Sequence, residues 1–490
     1  MAAGVKTTAI EQVQEAPRMQ LGREVNYSIA AFGTTLISLF QVTFILLFYT
    51  QEVGLDAGKA GLALMIGRIW DAVTDPAMGS ISDRTRWRMG RRRPYMLLGA
   101  IPLAISYISL WTPPTGWSQQ GLFLYLFFTY IAYNTSITIV SIPYVALGGE
   151  MSMDYHERTR IVAIRQVFQT LGWYAASVGL MINQLLLDHA PNAGGLWHTL
   201  VTFRNGYAMT AVICGAVCTL GLVWTVFTVK EDPTLRTHHT IGHLRALWQT
   251  MKNRSFLILM LAFLLMSALN SMGFASFPYL IQYWYYSGDR AAMARNLPML
   301  MLPMLLIALP GFAFWTRVSR RTGKRTACLY GFGALSVVTI INFYMFTPHI
   351  PWLYWPWAVL FGFVCALTNM IVPAMIPDIV DEDELETGAR REGSFFGANT
   401  FALKLAGALG VWLAGLSLDA IGFQKGAATQ PEMTVFWLRA FYAFVRGGGL
   451  VVTFLVMFAF PLTPERVAGI RSQLNARKAR SSQEAGTLTA

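Results

Sequence analysis

Two carboxylates stand inside a stretch that otherwise has the composition of a membrane-spanning helix. Asp71 and Asp75 lie within the segment RIWDAVTDP, residues 68–76. An ionised aspartate near the centre of a bilayer costs about 2.5–3.5 kcal/mol, so an uncompensated pair would cost about 5–7 kcal/mol. Residues four positions apart share a helix face, and Thr74 lies beside them. This grouping suits a hard monovalent cation or a proton, whereas the alternative is a salt bridge from Asp71 to Arg68.

A turn rich in arginine follows this helix, with six arginines between residues 84 and 93. A group of acids occupies residues 377–392, PDIVDEDELETGARRE, which we predict to be a loop on the same side of the membrane. A solvated charge run is one interpretation of such a loop. Because it joins two core helices, we instead predict that it pairs with the arginine-rich turn as a gate. The predicted gating residues are Asp83, Arg84, Arg91 and Arg92 on one side and Asp378 and Asp381 on the other.

Other polar residues recur at helical spacing within apolar stretches. One face carries Asn134, Thr138 and Ser141, a second carries Arg165, Gln169 and Trp173, and a third carries Asn399, Thr400 and Lys404. Hydrogen bonding between helices is the alternative role for the neutral members. For Arg165 and Lys404 we expect a place in a cavity wall or an acidic partner, because intramembrane cations rarely face lipid. One interpretation of Arg446 places it near enough to the outer surface for its charge to reach water.

The composition is that of a membrane protein with several spans. Of the 490 residues, 54% are hydrophobic and 13% are charged, whereas about a quarter of a soluble domain is charged. The net charge of +12 does not indicate nucleic acid, because lysine and arginine collect in loops that alternate between apolar spans. This alternation is the positive-inside pattern, so the charge orients the chain in a lipid bilayer.

Cysteine usage and the N-terminal segment fit this class. Cys214, Cys218, Cys328 and Cys365 all fall within apolar stretches, which is evidence against a disulfide framework. Residues 1–20 are polar and lack an apolar core region, so we expect no cleavable signal peptide. The first span is then expected to direct membrane insertion.

Apolar stretches of about 20 residues predict twelve membrane-spanning helices. The predicted spans cover residues 26–50, 60–82, 94–112, 121–145, 161–187, 206–229, 255–283, 296–316, 327–347, 353–377, 395–419 and 436–460. An even number of spans places both termini on one side, and the basic loops mark that side as cytoplasmic. We expect a monomer in the inner membrane of a bacterium.

The polar segment 230–254 is the longest interruption, and we predict that it is a cytoplasmic linker between two six-helix bundles, residues 26–229 and 255–461. Residues 1–25 are then a cytoplasmic N-terminal segment, and residues 462–490 are a cytoplasmic tail. Paired halves with a site at their interface are the sequence signature of a secondary transporter.

These motifs together resemble those of the glycoside–pentoside–hexuronide cation symporters of the major facilitator superfamily. The similar segments are AFGTT (31–35), RIWDAVTDP with the following DRTRWRMGRRRP (68–94), SIPYVALGGEM (141–151), PDIVD (377–381) and the surroundings of Arg165 and Lys404. The resemblance covers almost the whole chain. It implies an all-α polytopic membrane protein with the major facilitator fold, in which two six-helix bundles alternate around a central cavity.

The resemblance also implies where the ligands bind. The family's cation site falls on Asp71, Thr74, Asp75 and Thr138, with Asp71 and Asp75 as the sodium-binding carboxylates. Its inward-facing arginine falls on Arg165. The predicted substrate-binding residues are Thr35, Asn134, Ser141, Arg165, Gln169, Trp173, Asn399 and Lys404.

The sugar-binding pattern of the family is not kept. The melibiose carrier has an acid where Thr35 stands, and an acid and a tryptophan where Ser141 and Val145 stand. Other segments, such as TGKRTA and MIPDIVDE, look closer to the sodium-dependent lysophosphatidylcholine symporters. In that branch a lysine on the eleventh span and a basic residue on the fifth meet a charged headgroup, and Lys404 and Arg165 are placed to do likewise.

We therefore expect a cation-coupled symporter of a sugar, glycoside or related polar solute, driven by sodium or by protons. A transporter of lysolipids or other amphiphiles and a proton-driven exporter are the alternatives, with a non-transport receptor as a further class. The sequence shows no nucleophile–base set and no phosphate loop, so we expect neither an enzyme nor a cofactor.

Overall fold

Long helices account for most of the described residues in the computed structural model, which describes residues 21–152, 154–189, 202–231 and 250–488. The first half contains α1 (Leu21–Gln51), α2 (Ala57–Arg84), α3 (Arg93–Leu110), α4 (Gln119–Glu150), α5 (Tyr155–Asp188) and α6 (Tyr207–Thr228). The second half contains α7 (Arg254–Tyr279), α8 (Arg290–Thr322), α9 (Lys324–Met345), α10 (Tyr354–Thr387), α11 (Glu392–Ala420) and α12 (Glu432–Ala440 and Arg446–Phe458). A further helix, α13 (Pro464–Leu488), follows. Each predicted span overlaps one of α1 to α12.

Local capping explains several helix starts. The side chains of Ser118, Asp154, Asn253 and Asp289 accept hydrogen bonds from backbone N–H groups in the first turns of α4, α5, α7 and α8. Each therefore satisfies one of the donors that a helix start leaves without an intrahelical partner. Gly323 separates α8 from α9 with a φ of +84°, a conformation that a side chain disfavours.

The two halves repeat one packing pattern. In the first half α1 packs on α5 and α6, α4 on α2 and α3, and α3 on α6. In the second half α7 packs on α11 and α12, α10 on α8 and α9, and α9 on α12. The halves meet where α2 packs on α11 and α5 packs on α8. This repeat confirms the predicted fold class of two six-helix bundles.

Ten helices of the described chain are long and apolar enough to cross a membrane. The remaining two of the twelve, α2 and α10, are 28 and 34 residues long, which also exceeds the length that a span needs. The charges on α2 lower its mean hydropathy, and they include Asp71 and Asp75. The carboxylate pair thus lies on one of the two helices that fall short of this apolar composition.

Two expectations meet a different outcome. Residues 377–387 are helical rather than a loop, because Ile379 and Val380 are fully buried and α10 ends only at Gly388, whose backbone is left-handed. Arg446 is 3% exposed and lies inside the second half, so its charge does not reach the surface. Most of the predicted linker, residues 232–249, lies outside the described residues, as do residues 1–20.

The bundle has two ends with different turns. The Arg-rich end is the end with the turn between α2 and α3, residues 85–92, and it also carries α13. The far end is the opposite one, with the turns between α1 and α2 and between α11 and α12, residues 52–56 and 421–431.

Candidate functional site

The carboxylate site consists of Asp71, Asp75, Thr138 and Lys404, which come from three helices. The hydroxyl of Thr138 on α4 lies 2.8 Å from Asp71 Oδ1 and 3.1 Å from Asp75 Oδ1. The ammonium group of Lys404 on α11 donates to Asp71 Oδ2 at 2.6 Å and also to Asp75 Oδ2. Each carboxylate therefore bonds to the hydroxyl through one oxygen and to the ammonium through the other.

This geometry shows that the ion-pair partner of Asp71 is not Arg68. Lys404 pairs with both carboxylates, whereas the guanidinium of Arg68 lies beside Gly407 of α11. Thr74, which we expected in the cation site, donates its hydroxyl proton to the backbone carbonyls of Trp70 and Asp71. Hydroxyl back-bonding of this kind is common in helices, and it leaves Thr138 as the hydroxyl that bonds the pair.

The carboxylate site holds one ammonium group between two carboxylates. If all three groups are ionised, their formal sum is one negative charge. The side chains of Asp71 and Asp75 are 19% and 17% exposed, and that of Lys404 is 30% exposed. Because Lys404 belongs to the second half and the carboxylates to the first, the site also links the two halves electrostatically.

Arg165 occupies a separate place on α5, against two stacked tyrosines. It lies beside the hydroxyl of Tyr27. The rings of Tyr27 and Tyr144 stack with centroids 4.5 Å apart, and each hydroxyl donates to the backbone carbonyl of the other residue. Among the described residues, Arg165 Nε is buried and has no hydrogen-bond partner. A ligand oxygen would satisfy this donor.

About two turns of α5 further on, Trp173 faces the other half of the molecule. Its ring makes an edge contact with Phe274 of α7, at a centroid distance of 6.4 Å. Phe274 is nevertheless 40% exposed, so the two rings border an open space. Our sequence reasoning did not single out Phe274, because an isolated phenylalanine in an apolar span carries no signal of a cavity.

The other predicted substrate-binding residues are spread over α1, α4, α5 and α11. Asn134 is buried and donates its amide to the carbonyl of Tyr130 in its own helix, at 2.8 Å. Thr35, Ser141 and Gln169 are partly buried, and Asn399 is 8% exposed. The structure joins none of these five to Arg165 or Lys404 by a described hydrogen bond.

Contacts between the halves concentrate at the far end. Thr50 shares a hydrogen bond with Tyr279, and Tyr283 donates to Gln51. The backbone N–H of Gly58, in the first turn of α2, donates to Asp419 of α11 at 2.7 Å. Ion pairs between the halves join Asp56 to Lys425, Glu52 to Arg290 and Asp188 to Arg295. The structure is therefore closed at the far end.

Ion pairs of the described residues at the Arg-rich end lie within one half. Arg92 pairs with Asp83 at 2.5 Å and with Glu150 at 2.8 Å, and Arg91 also pairs with Glu150. In the second half, Asp378 pairs with Lys324 and Arg471, and Asp381 pairs with Arg390 and Arg471. The ion pairs that the structure describes for Asp83, Arg91, Arg92, Asp378 and Asp381 thus each stay within one half, and Arg84 makes no ion pair among the described residues.

Close packing of α2 on α11 near the far end supplies a test of this closure. A Cβ atom at Gly415 would lie 2.3 Å from the carbonyl oxygen of Ala57. Backbone cannot yield as a flexible side chain would, so Gly415→Val is expected to hold the far end open and to lower transport by about tenfold or more. Gly397 is a matched control on the same helix, because a Cβ there would meet nothing within 4 Å.

The measurement is the alkylation rate of a cysteine introduced by Gln51→Cys, with a membrane-impermeant maleimide. We expect faster alkylation with Gly415→Val than with Gly397→Val. Equal alkylation rates and unimpaired transport in the two variants would show that α2 and α11 do not need this close contact.

Comparison with known proteins places the chain among transporters. A family model described as MFS/sugar transport protein matches residues 26–464. The putative glycoside/cation symporter YagG of Escherichia coli is 29% identical, over 89% of this chain and 91% of that protein. The putative sulfoquinovose importer of Salmonella typhimurium is 26% identical over 96% of each protein. The sodium-dependent lysophosphatidylcholine symporter 1 of Gallus gallus is 24% identical, over 86% of this chain and 83% of that protein.

Solved structures agree on the fold. The crystal structure of the nucleoside transporter NupG superposes with a TM-score of 0.64 at 14% identity, covering 90% of this chain and 99% of that one. The family match, these relatives and the paired six-helix halves point to one conclusion. The chain belongs to the MFS/sugar transport protein family, the glycoside–cation symporter family of the major facilitator superfamily, and it is an integral membrane transporter rather than an enzyme.

Proposed function

We propose that this protein is a sodium-coupled symporter that imports a sugar or glycoside across the inner membrane of a bacterium. The observation that carries the proposal is the carboxylate site, in which Asp71 and Asp75 share one hydroxyl and one ammonium group. Carboxylate and hydroxyl oxygens are hard ligands of the kind that alkali cations prefer. Two close carboxylates can also share a proton, which makes proton coupling the alternative.

Lys404 explains how the site remains stable without sodium. Its ammonium group is a monovalent cation held between the two carboxylates, so it occupies the place that a coupling ion would take. Sodium and Lys404 then compete for the same oxygens. When sodium binds, Lys404 is released and the negative charge of the pair is neutralised. This exchange ties ion binding to the relation between the halves, because Lys404 lies on the second half.

The energy available from sodium is sufficient for accumulation. Moving one charge through 100 mV releases about 2.3 kcal/mol. A tenfold sodium gradient adds roughly 1.4 kcal/mol. The sum, about 3.7 kcal/mol, sustains a substrate accumulation of about 500-fold.

Substrate binding is assigned to the space between the halves, with Arg165 as its principal polar contact. Arg165 Nε lacks a partner among the described residues, and a guanidinium can bind two oxygens of a ligand at once. The names of the bacterial relatives, a putative glycoside/cation symporter and a putative sulfoquinovose importer, favour a sugar. With the Arg-rich end on the cytoplasmic side, both termini are cytoplasmic and the described conformation is the inward-facing one.

A lysolipid or another amphiphile is the second candidate substrate. The observation that favours it is the replacement of two sugar-binding acids by Thr35 and Ser141 and of a tryptophan by Val145, together with the similarity to a lysophosphatidylcholine symporter. Competition separates the two candidates. If lysophosphatidylcholine inhibits uptake at concentrations where a panel of glycosides does not, the sugar assignment is wrong.

Sodium dependence tests the choice of coupling ion. In membrane vesicles that transport a glycoside, replacing sodium by choline at fixed membrane potential and pH gradient is expected to lower the initial uptake rate at least tenfold. The reason is that Lys404 then stays between the carboxylates. Uptake that is unchanged in choline but that collapses with the pH gradient would reverse the choice in favour of protons.

A further inference from the structure

A second arginine is buried inside the second half, in contact with neutral groups. Arg446 is 3% exposed and directly follows the π-helical turn Phe441–Val445 of α12. Its Nη1 donates to the hydroxyl of Tyr442 at 2.9 Å, and its Nη2 donates to Asn270 Oδ1 on α7 at 3.0 Å. The ring of Phe361 on α10 lies 5.2 Å from the guanidinium. A buried cation held in this way needs a reason beyond packing.

The first half indicates that packing alone does not require an arginine at this position. In the first half α1 packs on α6, just as α7 packs on α12 in the second half. Gly33 of α1 there lies against Cys218 of α6. In the second half the corresponding close approach is Gly273 against Arg446, where a Cβ on the glycine would come within 2.7 Å of the guanidinium carbon. The small neutral side chain of Cys218 thus packs against the glycine in the first half. In the second half the equivalent contact is made by Arg446, a cation with several hydrogen-bond donors.

The contact with Arg446 fixes the orientation of the Asn270 amide. A guanidinium has donors and no acceptor, so the atom of the amide that meets it must be the carbonyl oxygen. The amino group of the same amide then points away from Arg446. An asparagine without this partner would be free to present either atom.

The face of α7 that carries Asn270 is turned toward the other half of the molecule. Phe274 follows Asn270 by four residues and therefore lies on the same helix face. Phe274 is 40% exposed and contacts Trp173 of the first half. Asn270 is itself only partly buried. Asn270 thus lies on the side of α7 that faces the first half of the molecule.

We propose that Asn270 is a substrate-binding residue that donates a hydrogen bond to an oxygen of the transported solute, and that Arg446 is the residue that positions it. The proposal rests on the proposed function, since it assumes a solute in the space between the halves. The positive charge behind the amide favours an acceptor with negative charge, so a carboxylate oxygen is bound more tightly than a hydroxyl oxygen at this point.

Asn270→Asp is the informative variant, because it keeps the shape of the side chain and an oxygen for Arg446 but has no amino group. The probes are methyl glucoside and methyl glucuronide, which differ by a carboxylate in place of a hydroxymethyl group. We expect the KM for methyl glucuronide to rise about tenfold or more, and by a larger factor than the KM for methyl glucoside. We expect the maximal rate and the sodium activation constant to stay within twofold of the wild-type values. The melting temperature is expected to stay within a few degrees of wild type.

Arg446→Met tests the positioning role, and Arg439→Met is its matched control on the same helix. Arg439 stacks 3.6 Å from the ring of Trp284 and donates to the carbonyl of Phe343. We expect Arg446→Met to raise the KM for methyl glucuronide, Arg446→Lys to restore part of the loss, and Arg439→Met to leave KM unchanged. KM does not depend on how much of the protein is folded, so partial misfolding would not hide the effect.

Two outcomes would contradict the proposal, and they are distinguishable. If wild type transports either sugar and Asn270→Asp leaves both KM values unchanged, Asn270 does not bind the solute, whereas the proposed symport stands. If wild type transports neither sugar, the proposed sugar import fails and this proposal fails with it.

Discussion

Asp71→Asn and Asp75→Asn are each expected to abolish sodium-driven accumulation, so that the internal substrate concentration rises only to the external one. The physical reason is the loss of one of the two charges that attract the coupling ion, at a site where Lys404 alone then neutralises the remaining carboxylate. An ion that no longer binds cannot contribute its share of the driving force, about 3.7 kcal/mol for 100 mV and a tenfold gradient. The measurement is uptake into membrane vesicles under an imposed sodium gradient.

Folding and insertion are checked in the same vesicles by exchange of labelled for unlabelled substrate without a gradient. Each Asn variant keeps the hydrogen-bonding shape of the carboxylate, so we expect exchange to persist. Glu432→Gln, an exposed acid at the start of α12, is the matched control for the change from acid to amide. Full gradient-dependent accumulation in the double Asn variant would remove the carboxylate site from the coupling mechanism.

Much of this architecture follows from local sequence patterns. Apolar runs of about 20 residues correspond to the long helices, and a spacing of four residues places Asp71 and Asp75 on one face. The hydroxyl of Thr138 was also predicted, from helical spacing and from the family resemblance. These are properties of single helices, and a single helix can be predicted from its own residues.

What the sequence left open concerns contacts between distant helices. Lys404 pairs with Asp71 across 333 residues of chain, and no local spacing distinguishes that pairing from a contact with substrate. The closure of the far end depends in the same way on separate residues, such as Gly58 and Asp419, whose types carry no signal of a gate. Acids in residues 377–387 favoured a loop, because sequence composition alone did not show that Ile379 and Val380 would be buried.

Arg165→Lys is expected to damage transport much more than Lys404→Arg, although both changes keep the charge. Arg165 lies beside Tyr27 and its buried Nε has no hydrogen-bond partner among the described residues, and a guanidinium can bind two ligand oxygens whereas a lysine cannot. Loss of a hydrogen bond to a charged group predicts a rise in substrate KM of about tenfold to 100-fold for Arg165→Lys. Lys404→Arg keeps a cation between the carboxylates, so we expect its substrate KM to change less than threefold.

Lys404→Ala separates the two roles that the sequence left open for this lysine. The carboxylate site predicts that Lys404 competes with sodium, because its ammonium group bonds to both aspartates. Without the ammonium group, the two carboxylates have no competing cation, and we expect sodium to bind at least tenfold more tightly while substrate affinity at saturating sodium is unchanged. Both constants are measured on one purified preparation, by sodium titration and by substrate titration. A fall in substrate affinity at saturating sodium, with sodium affinity unaltered, would instead make Lys404 a substrate contact and leave the carboxylate pair to be neutralised by another group.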